Sequence, residues 1–255
     1  MAPKTLQTDK PQKKKAVKTP FRKLTGKLHL WLGLSSGLIV FIVAVTGCIY
    51  AFQVEIQDLT QPYRFVAPQH KSFLLPTQIR EIADKQLPGK HIHSVLYQGK
   101  DRAAKAIYFS AKPDNEYYDF VYVNQYSGKV LKVKDEYADF FRFILDGHFY
   151  LWLPHDIGQP VVASATLVFL VMIISGLILW WPRNIKGAKQ RFSIKWSARW
   201  RRKNYDLHQV LGFYVTWLAI IFALTGLVWG FTWFAGGVYT LASGGNYGHY
   251  KIRNH

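Results

Sequence analysis

The chain has 255 residues, a formal net charge of +18 and one cysteine, Cys48. A lone cysteine excludes disulfides, zinc clusters and thiolate-held iron–sulfur centres within the chain, and no C-x-x-C-H is present for covalent haem attachment. The charge would suit nucleic acid, but it is concentrated: residues 1–28 carry +8, residues 183–205 carry +9, and the remainder only +1. Both basic blocks flank uncharged apolar runs, so anionic lipid headgroups are the expected partner and nucleic acid is not.

Residues 1–20 are rich in Lys and Pro with little to bury, and are expected to be a disordered cytoplasmic tail. Residues 21–54 then read as a first transmembrane helix, since about 20 apolar residues suffice to cross a bilayer. The long basic region and the absence of an A-x-A site make this run a retained anchor and not a cleaved signal. Residues 55–134 read as a small α+β domain. Its helix follows Pro76, with Ile79, Ile82, Ala83 and Leu87 at helical spacing, and ends at Pro88-Gly89. Three alternating runs, HIHSVLYQG, AAKAIYFSA and YYDFVYVNQ, predict strands, and the turn from Asn124 to Lys129 leads into VLKV.

Residues 135–156 are expected to lie on the outer membrane face, with Phe140, Phe141, Phe143, Ile144 and Leu145 on an apolar side. The acids Asp135, Glu136, Asp139 and Asp146 in the same stretch are expected to be a solvated face. Residues 157–182 form a second transmembrane helix ending in Trp180-Trp181-Pro182-Arg183, an aromatic belt followed by a basic stop. Residues 183–205 form a basic cytoplasmic loop containing Trp196 and Trp200. Residues 206–235 form a third transmembrane helix, and residues 236–255 a Gly-rich tail on the outer side. This charge asymmetry places the N-terminus in the cytoplasm and the 55–134 domain outside.

The first and third helices carry the same pattern. Leu28–Phe52 and Leu207–Phe231 align without a gap and share Leu28/Leu207, His29/His208, Gly33/Gly212, Thr46/Thr225 and Gly47/Gly226, among others. An ionisable side chain inside a span is costly unless it has a role. Two histidines at equal depth, each followed by glycine at i+4, point to a haem held between His29 and His208. Gly33 and Gly212 would leave room for the flat macrocycle. His70, His91, His93, His249 and His255 lie in polar stretches and are expected to be ordinary surface residues. No dinucleotide fingerprint, P-loop, H-E-x-x-H or nucleophile elbow is present.

The helix ending in Leu87-Pro88-Gly89, the strands and the turn VYVNQYSGKVLKV resemble the PepSY domain, with Asn124 and Ser127 in place of the usual Asp and Thr. Adding the two Leu-His-x-x-Leu-Gly helices, the Leu-Trp-Leu-Pro run and the Ser-Gly-Leu-x-Leu-Trp-Trp-Pro exit, the chain is similar to the PepSY-associated transmembrane family over about residues 21–240. The resemblance implies three transmembrane α-helices with a small extracytoplasmic α+β PepSY-like domain between helices 1 and 2, in the bacterial inner membrane. It also implies haem-b electron transfer to ferric siderophores in iron uptake, either as a transmembrane reductase or as an electron-transfer subunit. His148 matches the family's outer-side histidine and is a candidate ligand of a second haem.

Longer members of the family have a fourth helix that opens with another histidine. This sequence stops before it, which leaves a short form, a truncated chain, or completion by a second protomer or a missing segment as alternatives. His155 is the weaker candidate to replace the absent ligand. A non-enzymatic accessory protein, whose PepSY-like domain binds a partner or peptidase while the helices anchor it, is the competing expectation.

Overall fold

The computed structural model describes residues 19–182 and 191–245. Three of its helices are long and apolar enough to cross a membrane: α1 (Pro20–Ala51), α5 (His155–Trp180) and α6 (Trp200–Gly230). Between the first two lie α2 (Gln53–Thr60), a 3₁₀ turn (Pro62–Arg64), α3 (Pro76–Asp84), β1 (Ile92–Leu96), β2 (Ala104–Lys112), β3 (Asn115–Val123), β4 (Val130–Asp135) and α4 (Phe140–Tyr150). A final helix, α7 (Thr232–Ala242), follows α6. The tail before residue 19, most of the first half of the basic loop, His249 and His255 fall outside the described residues.

The chain forms two compact units, Leu38–Ala165 and the described parts of Met1–Gly37 with Thr166–His255. The first is built on an antiparallel sheet of order β1-β2-β3-β4. One face packs on α3: Ile79 and Ala83 meet Ala104, Ala106, Tyr108, Val121 and Val123, with Ile82 and Leu87 closing the edge. Ile79, Ile82 and Ala83 are the α3 residues that the helical spacing selects, whereas Leu87, expected in the same helix, lies beyond its end at Asp84. The other face gathers Val66, Phe120, Tyr122 and Tyr126. Strands β2 and β3 outrun their neighbours. They pair from Ala104↔Val123 out to Lys112↔Asn115, whereas β1 reaches only Tyr108 and β4 only Asp119.

Gln125 pins the sheet from within. Fully buried, its side-chain oxygen accepts from Ala104 N at 3.0 Å and its amide nitrogen donates to Gly99 O at 3.1 Å. The adjacent turn closes through Asn124 Oδ1, which accepts from Tyr126 N at 2.9 Å. Gly128 completes it with φ +76, and a side chain there would press on Ile82. Asn124 therefore does the turn work expected of the usual aspartate.

On the second face, charges are packed together. Lys134 bridges Glu136 at 2.9 Å and Asp139 at 2.7 Å, all three side chains nearly buried. Arg64 donates to Gln57 at 2.9 Å and pairs with Asp58 at 3.1 Å, while Arg102 also grips Asp58. The hydrogen bond from Arg102 holds the Asp58 carboxyl below its ordinary value. Burial pulls the Lys105 ammonium down; it lies 4.4 Å from the centre of the Phe120 ring. Glu136 and Asp139 are thus structural ion-pair partners, not the solvated face expected of them. Asp139 also caps α4 by accepting from Phe141 N at 2.8 Å.

Several boundaries differ from expectation. Helix α2 was not expected; the chain turns at Phe52 (φ −100, ψ 19) and helix resumes at once. Helix α4 starts at Phe140 because Asp139 is its cap, leaving 136–139 as a turn after β4. Helix α5 starts at His155, with Pro160 inside it at the cost of one hydrogen bond. Helix α6 starts at Trp200, inside the segment expected to be loop, and ends at Gly230, where Phe231 turns extended before α7. Gly236-Gly237 suggested a loose tail, but the apolar residues around them carry the chain into a helix.

Candidate functional site

His29 on α1 and His208 on α6 come together, with ring centres 6.3 Å apart and planes at 62°. A metal bonded to two opposed imidazoles lies about 2 Å from each nitrogen, which puts the ring centres about 6 Å apart. The observed separation fits that arrangement. It also suits an edge-to-face pair of rings, so the surroundings of each ring carry the distinction.

The His29 ring is seated against α5. Its Nδ1 lies 2.9 Å from Ser175 Oγ. A Cβ on Gly176 would stand 3.3 Å from its Cε1, tighter than ordinary contact, so the absence of a side chain there makes room for the ring. With Nδ1 engaged by Ser175, Nε2 is the nitrogen left for a metal, the usual division of labour in metal-binding histidine. His208 is exposed on α6. Among the described residues, no group of three or more His, Cys, Asp or Glu side chains converges as a metal site. Two histidines alone are a poor cage for a bare ion but suffice for an iron whose other ligands come from a macrocycle. The donor set fits haem b.

The two glycines singled out in the sequence differ in surroundings. A Cβ on Gly33 would meet the terminal methyl of Met172 at 2.9 Å, so this glycine admits α5. Among the described residues, nothing lies within 4 Å of a Cβ on Gly212. Ser36, one turn from Gly33, donates to Leu32 O at 2.8 Å and lies 3.6 Å from Met172 Sδ.

His148, on α4, belongs to the other unit and sits on α1. Its Nδ1 is 2.9 Å from Val43 O and 3.4 Å from Thr46 Oγ1. A Cβ on Gly47 would fall 2.9 Å from His148 Cε1, so the ring occupies the notch that this glycine leaves. Donation from Nδ1–H to the carbonyl again leaves Nε2 free. Its ring centre is 5.3 Å from that of Phe149. Immediately beyond α4, Leu151 and Trp152 take φ +54 and +58, a left-handed corner that non-glycine residues seldom adopt. Trp152 Nε1 braces it by donating to Phe143 O at 2.8 Å. His155 is exposed beside Tyr150, with ring centres 5.0 Å apart. His70, His91 and His93 are exposed, as surface residues should be.

A family model described as the PepSY-associated TM region matches residues 27–252. The chain belongs to this family. As a PepSY-associated TM protein it is a multi-pass membrane protein, with three candidate spans and an α/β region between the first two. A search among curated proteins finds no match. The site residues that sequence reasoning missed are Ser175 and Gly176, together with the Val43–Gly47 notch. Their signals were present: Ser175-Gly176 opens the Ser-Gly-Leu-x-Leu-Trp-Trp-Pro run, and Gly47 is one of the positions shared by the two repeats.

Proposed function

We propose that this PepSY-associated TM protein binds haem b between His29 and His208 and carries electrons across the bacterial inner membrane, for reduction of ferric siderophores in iron uptake. The observation that carries the reading is the 6.3 Å approach of two histidine ring centres on separate membrane-length helices. A helix that merely anchors a domain has no need of it. Haem b, when bound, would supply a one-electron iron couple. His29 and His208 would hold its iron, and two histidine ligands suit electron transfer. Apolar faces of α1 and α6 would exclude water from the site.

The positive-inside asymmetry supports a cytoplasmic N-terminus and a periplasmic sheet domain, with the basic segments on anionic headgroups. Electrons would enter from a cytoplasmic or quinone donor and leave on the outer side, where His148 is the candidate ligand of a second haem. Its second ligand would come from a second protomer or a further segment.

Oxidised and dithionite-reduced absorption spectra of the detergent-purified protein test the proposal. Six-coordinate b-type bands in the wild type, lost in both His29→Ala and His208→Ala, are expected. Haem that survives in both variants and disappears with His148→Ala would assign the second site. No haem after haem-replete expression would overturn the reading and leave an anchored accessory domain in its place.

A further inference from the structure

The hydroxyl of Ser175 has one proton and two lone pairs. Ser175 is buried on α5, and its Oγ–H donates to Met172 O one turn back at 2.9 Å. With its proton so placed, Oγ can only accept from His29, whose Nδ1 lies 2.9 Å away. Nδ1 must then carry the hydrogen, and Nε2 the lone pair. Gly176, the next residue, brings α5 up to the adjacent ring atom, Cε1. Two neighbouring atoms of one imidazole are thereby registered against two consecutive residues of one helix. No hydrogen bond to the His208 ring is found among the described residues, and that ring is exposed.

We infer that Ser175 is a positioning residue: it locks His29 in the Nδ1–H tautomer and sets its ring before any cofactor arrives, making His29 the fixed ligand and His208 the adaptable one. The inference rests on the haem reading for its purpose, but not for its geometry. A ligand held this way spends no freedom on binding. Donation from Nδ1–H also makes Nε2 the more basic, and loss of such an outer partner commonly weakens metal binding about 10–100-fold.

The test uses the full chain labelled with ¹⁵N-histidine and prepared without haem, with His29→Gln to assign the His29 signals. Ring-nitrogen shifts should show the Nδ1–H tautomer in the wild type, a mixture of tautomers in Ser175→Ala, and the single tautomer restored in Ser175→Thr. With haem added, Ser175→Ala should bind at least about tenfold more weakly and show a raised midpoint potential, and Ser175→Thr should recover both. Circular dichroism of each variant separates these effects from loss of fold. An Nε2–H tautomer in the wild type, or spectra identical in Ser175→Ala, would overturn the inference. A locked tautomer in a protein that takes up no haem would uphold the lock while sinking the haem reading.

Discussion

The sheet unit and the helical unit bury polar groups in opposite ways. Around the sheet, charged side chains reach one another across long stretches of sequence: Arg102 to Asp58 and Lys90 to Asp119. In the helices the hydroxyls fold back on their own backbone: Thr25 on Phe21 O, Ser36 on Leu32 O and Thr216 on Gly212 O. A group that satisfies itself within one turn says little about what lies next to it. Ser175 and His29 break this rule in the helical unit, being joined across 146 residues. Tertiary information in that unit comes from such cross-helix contacts, with Arg22 on α1 donating to Leu179 O on α5 as another.

The largest test of this contrast is Lys134→Ala, which leaves Glu136 and Asp139 nearly buried without their cation. A loss of about 3 kcal/mol is expected, read from thermal or urea unfolding of the detergent-purified protein. Gln125→Ala should cost about 2 kcal/mol, because Ala104 N–H and Gly99 C=O lose a buried partner. A loss under half a kcal/mol in both would show the sheet network to be dispensable.

The acid limb sharpens the same comparison. The folded-state value of Asp58 lies below its unfolded value, so its contribution is complete above the ordinary carboxylate range. It is lost as pH falls through the folded value. The melting temperature of the sheet unit should drop between pH 7 and pH 3, and less so in Asp58→Asn. At the small end stands Thr216→Val on α6, where the hydroxyl donates to Gly212 O of its own helix at 2.6 Å. A change of about 0.6 kcal/mol or less is expected from the same unfolding assay. A loss several times larger would mean that Thr216 has a partner role like that of Ser175.

What was legible in the sequence follows the same division. Ile79 and Ala83 could be picked out because a helix on a sheet repeats its apolar positions. The pairing of His29 with His208 was visible because two helices carry one pattern. Ser175 was not, since a serine in a membrane helix ordinarily bonds to its own backbone, as Ser175 also does. The ion pairs of Glu136 and Asp139 were missed for a related reason. Charge on a strand end reads as solvated until the chain returns to cover it, and here the 3₁₀ turn and the start of α4 do so. The early start of α6 was hidden by its arginines, which mark a membrane boundary without ending a helix.

The overhang of β2 and β3 has a practical use. From Phe109 to Lys112 and from Asn115 to Tyr118 the hairpin has no third strand on either side among the described residues. A two-stranded ribbon holds little stability of its own, so its tip can be rebuilt without disturbing the layers behind it. Pro113-Asp114 is therefore the natural place to splice an epitope or a fluorophore. A label there would report, in intact cells, on which side of the membrane the sheet domain stands.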